Sequence, residues 1–600
     1  MAHFIFAEEE DVGYFGPSSN IYFTRDISNA LQRILWTIEA GGGQVASIPH
    51  LDRGVLAISR PPSPSPTADR TTTGTPGQRL RSTQTGPDSR ESDAYYLPPE
   101  HQVRGLLDKY FANTGELFPY IHPASFMQTY QEVLQDRRPV RRTWLALLNI
   151  ILAISVSTDI SAEDTDPVHR QQRAHVFYNR ATKLGGGSTA THASLETVQY
   201  KLVTSQYLQG TSTSSQTWAM HGLAVKAALQ LGLHSPQALR RYPPLEQEMG
   251  KRTWFGCVVL DRTLSMTFGR PPTIPESFLK NLQLATPYET AREPHNGPQS
   301  HYSTGFFNAT ITLYRILGDA IHLLYGDNLG SDQHQQTYQM LKDVLHLEER
   351  LETWTRNLPP DMNVTQASPA TPDGPYKLGI ILRLRYLNTR SLIHRVVVSS
   401  MLRTVGSAES QAPSSPSLDL ARKASLETCV SSSLEVISRI HYATSEDSPR
   451  VKALGAWWFS LYYTVDAALG LFAASMICHV HPHMASPTTS SAEDRKSAIQ
   501  QAIETLGRLD RGNKIVDRCT DCLKRLVQAL AQLSTASVNH NGIANISGGF
   551  TPFVSAAPLS PTLWSGNEAT ATDGQPSFLD LDSLFDNNFL YGIDESRAKS

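Results

Sequence analysis

The stretch from Gln206 to Pro272 constrains the fold most, because two dense helical segments meet there across a short polar connector. The first runs Trp218-Ala-Met-His-Gly-Leu-Ala-Val-Lys-Ala-Ala-Leu-Gln-Leu-Gly-Leu-His234, where Lys226 and Gln230, one turn apart, leave a narrow polar stripe and nearly everything else is apolar. Such a surface predicts a helix buried on several sides, stopped by a left-handed turn at Gly232. The second segment begins at Pro244, where a first helical turn needs no amide donor. Glu246 and Glu248 fall in its positive first turn, and Glu248 is placed to pair with Arg252 four residues on. Leu245, Met249, Cys257, Leu260, Leu264 and Phe268 recur at three- and four-residue steps, with Thr253 in the gap, which predicts one core-facing seam. Gly269, followed by Pro271 and Pro272, ends the helix sharply.

Taken in order, these pieces resemble the regulatory domain of fungal zinc-cluster transcription factors, the fungal-specific transcription factor domain. The pattern is a small-rich helix ending in Leu-Gly-Leu-His, here Leu231 to His234 with Gly232, then a Glu-rich turn leading to Arg-x-Trp, here Glu248, Arg252 and Trp254. Leu260-Asp261-Arg262 and Gly269-Arg270-Pro271-Pro272 complete it. Each piece alone is weak; the ordered set is specific. The resemblance implies a large all-α domain in a regulator of transcription, working in the nucleus on a pathway that includes, as one candidate, secondary metabolism. It also implies homo- or heterodimers with family members.

Composition sets bounds on these expectations. The 600 residues exceed one small core and call for several domains, or for one large helical domain with tails. A net charge of −3 provides no global electrostatic reason to hold nucleic acid, which needs a concentrated basic face. The five cysteines, Cys257, Cys429, Cys478, Cys519 and Cys522, are sparse and odd in number, which points to a reducing compartment. Met1 to Asp11 lacks the basic start and long apolar run of a secretory signal.

Residues 1–58 read as an N-terminal element. Within it, Gly13-Tyr-Phe-Gly-Pro-Ser-Ser-Asn-Ile-Tyr-Phe-Thr-Arg25 resembles the short segment that family members carry between zinc cluster and regulatory domain, and is expected as a tethered strand or loop. Residues 59–96, rich in Ser, Pro, Thr and Gly, predict a disordered linker. The helical domain is expected over 97–530. Its helices are expected around Val103–Tyr110, Trp144–Val156, Arg173–Leu184, Leu195–Leu208, Asn308–Leu324, Tyr338–Leu358, Leu382–Val398 and Ile515–Leu530. Phe118-Pro-Tyr-Ile-His-Pro resembles the family's opening turn, and Leu384 to Arg395 resembles its Leu-x-Tyr helix, with Val396 where the family has Pro, so this helix is free to run on. Leu454 to Cys478 is long and apolar enough for a bilayer. Asp466 near its centre would cost roughly 2.5–3.5 kcal/mol there, which favours a buried bundle helix and no membrane partner.

Residues 531–576 predict a second disordered linker, and 577–600 an acidic-aromatic tail. Phe578, Leu581, Phe585 and Phe589 fall on one face at helical spacing, with Asp580, Asp582 and Asp586 between them and no Lys or Arg from Phe578 to Glu595. That mixture suits a segment that folds on a partner groove, here a transcriptional coactivator. Docking back onto the helical domain is the other use of such a tail.

Reactive constellations are lacking. No phosphate loop, nucleophile elbow or His-Glu-x-x-His occurs. Asp261 and Arg262, on so apolar a helix, read as a structural pair rather than a reaction centre. Cys519-x-x-Cys522 is half a zinc site with no second half, and Cys478-His-Val-His-Pro-His483 reads as a helix exit. Arg137 to Arg142, the densest basic run, has the composition of an import signal but reads first as a solvated loop before the Trp144 helix. The expectation is therefore no enzyme, no catalytic residue, no metal and no cofactor. The six-cysteine cluster through which family members hold two zinc ions and DNA matches no residues here. Promoter DNA is a partner only if an upstream cluster exists; otherwise the chain reads as a non-DNA-binding protein that pairs with an intact family member.

Overall fold

The computed structural model describes residues 13–40 and 94–544, apart from short internal segments, and contains helices and no strand among them. The first helix, α1 (Asn20–Ala40), lies where the sequence suggested a strand or loop. Residues 13–19 do form a turn, but Phe23, Ile27, Ala30, Leu31 and Ile34 then follow at helical spacing and are all buried.

α2 (Glu100–Ala112), α3 (Thr114–Leu117) and α4 (Pro123–Leu134) follow, with the His122 imidazole accepting from the Ser125 amide to cap α4. α5 (Arg142–Thr158) is buried from Trp144 to Ser157 because α2, α6 (Pro167–Gly185) and α7 (Leu195–Gln209) surround it. α8 (Gln216–Gln230) and the short α9 (Pro236–Leu239) lead into α10 (Pro244–Phe268).

The dense pair is present, with its burial distributed differently from the expectation. α8 buries one face, through Thr217, His221, Ala224, Val225 and Ala228, and leaves Leu223 half exposed, so it is not enclosed on several sides. Conversely, α10 is buried on every side from Arg252 to Met266, and the narrow seam is only part of its contact surface. Leu245, expected in that seam, is exposed because the first turn of α10 projects beyond its neighbours.

α11 (Gly297–Tyr325) packs on α10, on α12 (Thr337–Arg356) and on α13 (Asp373–Thr404). With Val396 where a proline would stop it, α13 continues to Thr404. α14 (Pro416–Thr444), α15 (Trp457–Val480), α16 (Ala492–Leu509) and α17 (Lys514–Ala544) complete the fold. α17 extends past Leu530 into the stretch expected as linker. Buried through most of its length, α15 is a core helix whose Asp466 faces Arg395 at 2.6 Å. α1 packs against α13, α15 and α17, so the start of the chain closes on its last third. The second linker beyond Ala544, the first linker up to Asp93 and the tail with Phe578, Leu581, Phe585 and Phe589 lie outside the described residues.

Candidate functional site: the joint at the two ends of α10

The motif residues separate into two polar clusters on α10, one near each end. At the first, the Glu248 carboxylate accepts from Arg252 Nε at 2.8 Å, from Lys251 Nζ at 2.6 Å and from both the amide and hydroxyl of Thr286. The remaining Arg252 nitrogens donate to the Pro119 and Thr286 carbonyls and to Thr304 Oγ1. One guanidinium thereby joins α10 to the turn before α4, to the 285–286 segment and to α11. Burial pushes the Glu248 carboxyl upward, but the bonds from Lys251 and Arg252 outweigh it and hold its pKa below the ordinary glutamate value. Trp254, fully buried, packs its ring 5.7 Å from His234, which in turn meets Phe278. Gly232, at φ +71°, makes the left-handed stop that sets His234 there, and a Cβ on it would come within 2.7 Å of Ala238.

Asp261 and Arg262 form the link toward the other end. Asp261 accepts from the Thr273 and Ile274 amides at 3.0 and 3.1 Å and from Arg262 Nη1 at 2.6 Å. Arg262 also donates to the Ile274 carbonyl. The pair ties down the chain emerging from α10. His221 lies 4.0 Å from Asp261, and its other ring nitrogen contacts the Cys257 carbonyl. Burial lowers the His221 pKa despite the nearby carboxylate.

At the far end, Gly269 takes φ +63° and closes the helix. The N-terminal arm crosses it so tightly that a Cβ on Gly269 would sit 2.3 Å from the Gly16 carbonyl oxygen, and one on Gly16 would sit 2.2 Å from that of Gly269. Both glycines are therefore required by backbone contact. Arg270 donates to the Tyr14 carbonyl and sits among the rings of Phe15, Trp218 and Phe268, while Pro271 and Pro272 are half-buried behind it. The Ser18 hydroxyl donates to the Ser265 and Met266 carbonyls in the last turn of α10. Asn328, itself at φ 59°, bonds the Ser18 amide and the Ser265 and Arg270 carbonyls. Arg395 then joins arm to core by donating to the Ser18 carbonyl, Asn20 Oδ1 and Asp466 Oδ1.

Sequence reading found Glu248, Arg252, Asp261, Arg262, Gly269 and Arg270, but assigned no role to Ser18, Asn328 or Arg395, whose partners lie hundreds of positions away. Cys519 and Cys522 are buried in α17, where burial pushes the Cys519 thiol up to about 12. His481 and His483 pack edge to face at the exit of α15. Among the described residues no group of three metal-ligating side chains converges. The hydrogen bonds of this arrangement join α10 to the N-terminal arm, to the 285–286 segment and to α11.

Two open clefts among the described residues stand apart from this joint. One, of about 750 Å³, lies between α11 and α12; the other, of about 570 Å³, lies between α2 and α6.

Comparison with known proteins gives a consistent picture. The model of the fungal specific transcription factor domain matches residues 107–356. The chain is 30% identical to Transcription factor FBD3 of Fusarium pseudograminearum over 98% of its own length and 75% of that protein. It is 23% identical to the Sorbicillinoid biosynthetic cluster transcription factor 2 of Penicillium rubens, over 64% of this chain and 55% of that one. It is 24% identical to the ABC-transporter-regulating transcription factor of Aspergillus oryzae, over 63% of this chain and 41% of that one.

Proposed function

This chain belongs to the fungal transcription factors that carry the fungal specific transcription factor domain, and from that premise we propose that it is a pathway- or gene-cluster-specific regulator of transcription acting in the nucleus. The observation that carries this reading is the extent of the similarity. It spans 98% of the chain, so it takes in the N-terminal arm as well as the helical domain. Relatives named for a biosynthetic cluster and for transporter regulation support the pathway-specific part.

In this reading the helical domain regulates and pairs with a second family member, and the 577–600 tail contacts a coactivator. Phe578, Leu581, Phe585 and Phe589 supply the apolar anchors, and the acids between them steer the segment toward basic-rimmed grooves. A fusion of residues 570–600 to an unrelated DNA-binding domain tests the tail. The fusion drives a reporter, Phe585→Ala with Phe589→Ala abolishes that drive, and replacing only the acids weakens it. A silent wild-type fusion removes the tail from this reading. Transcript profiling after deletion of the gene tests the rest: a restricted set of neighbouring or functionally linked genes changes. An unchanged profile under conditions in which the gene is expressed overturns the proposal.

A further inference from the structure

The larger cleft is wide and mostly apolar. Leu284, Ala309, Ile316, Trp354, Leu358 and Pro359 provide the apolar part of its lining. Its walls are fixed by bonds that need no occupant. Trp354 Nε1 donates to Thr312 Oγ1 at 2.9 Å, and its indole stacks on Tyr386 at 5.9 Å with the planes 11° apart. The Asn308 amide donates to the Ala285 carbonyl and accepts from the Ala285 amide, which holds the neighbouring Leu284 at the mouth. Gly305 leaves the floor open: a Cβ there would meet only the Met362 side chain, at 3.5 Å and beyond.

The charges in this cleft define what fits. Arg350 is already neutralised by Asp319 at 2.6 Å, while His346 and Glu349 are exposed to solvent. None of its charged lining residues is both buried and unpaired, so nothing there repays the desolvation of an ionic ligand. The smaller cleft presents the opposite chemistry. Lys109, Arg173 and Arg180 line it, and the Arg180 guanidinium covers the rings of Tyr96 and Phe177 at 5.3 and 5.4 Å.

We propose that the α11/α12 cleft is a binding site for an uncharged, largely apolar, ring-bearing small molecule that lies along Trp354. A volume of about 750 Å³ falls within the roughly 300–1,000 Å³ of small-molecule sites, which are concave, mostly apolar and largely preformed. The inference deepens the regulatory reading above by giving the domain a chemical input. It does not depend on which genes are controlled, because binding is read on the purified chain.

The test uses the full chain and N-phenyl-1-naphthylamine, a neutral probe whose emission rises in apolar surroundings. The expected result is saturable binding of one probe per chain. Leu284→Trp, at a partly exposed position, and Gly305→Leu each fill the cleft and weaken binding by about tenfold or more, with melting temperature unchanged. Val176→Trp, in the charged cleft, leaves the affinity as it was. Three results overturn the proposal: no saturable binding, undiminished affinity in both filling variants, or binding that appears only when residues 577–600 are removed. The last would assign the cleft to the chain's own tail. A chain that binds the probe normally but leaves transcription untouched in the deletion experiment would overturn the regulatory reading and leave the cleft standing.

Discussion

At Gly269 two demands coincide, a left-handed backbone and contact with another backbone. Either alone is tolerable at modest cost. Together they leave an added methyl nowhere to go, since the nearest obstacles are Gly16 backbone atoms and not a flexible side chain. Gly269→Ala should therefore lose about 1–2 kcal/mol from the left-handed conformation and a further 1–3 kcal/mol from overpacking. A melting temperature equal to wild type would show that the arm does not cross α10 here. Glu248 offers a test with a pH signature. Its folded-state pKa lies below the ordinary value, so the stability it contributes is complete above that ordinary value and is lost as pH falls through the lowered one. Glu248→Gln should thus be least stable relative to wild type near neutrality, with the gap narrowing as pH falls below about 4.5. A gap that stays constant from neutral to acid would mean that the carboxylate charge is not what Lys251 and Arg252 recognise.

The helices α5, α10, α13 and α15 were legible because apolar residues carry their period. α14 was missed because its buried face is made partly of serines. Ser425, Ser432 and Ser433 are all buried, and Gly470 of α15 comes so close that a Cβ on it would lie 3.0 Å from Ser433 Oγ. Small polar residues permit that close packing and hide it from a hydrophobic count. In α1 the period is present in Phe23, Ile27 and Leu31, but it follows directly on the turn-forming Gly-Pro-Ser-Ser stretch, which by itself indicates a loop. Asp466 was read as a reason for burial in protein, while its partner was out of reach of sequence logic, because Arg395 lies on another helix. Between elements, that pair makes its own prediction. Arg395→Met leaves Asp466 buried without a counter-charge and should cost about 3–5 kcal/mol. Adding Asp466→Leu should restore much of that loss, since a buried ion pair replaced by apolar groups is often near neutral. Recovery should stay incomplete because Arg395 also holds Ser18 and Asn20. Complete recovery would reduce Arg395 to a counter-ion for Asp466 with no part in anchoring the arm.

On the scale of the whole molecule, the arm and the last third of the chain form one packed unit despite their separation in sequence. α1 buries Phe23, Ile27, Leu31 and Ile34 against α13, α15 and α17. Each such side chain contributes roughly 1.5–3 kcal/mol when removed from water, an upper range because the unfolded chain is itself partly compact. Polar contacts then fix the register of the arm: Asp26 pairs with Arg403 at 3.1 Å, and Arg33 donates to the Leu402 and Val405 carbonyls at the end of α13. A chain starting at residue 94 would expose the face that α1 covers and lose the caps on both α10 and α13. It should melt well below the full chain, or aggregate through the uncovered apolar face. A peptide of residues 13–40 added in trans should bind it and raise its melting temperature in a concentration-dependent way, because ligands that bind only the folded state stabilise it by mass action. The same peptide carrying Phe23→Ala and Ile27→Ala should fail to do so. If the shortened chain melts like the full one and ignores the peptide, the arm is a tether rather than a part of the core.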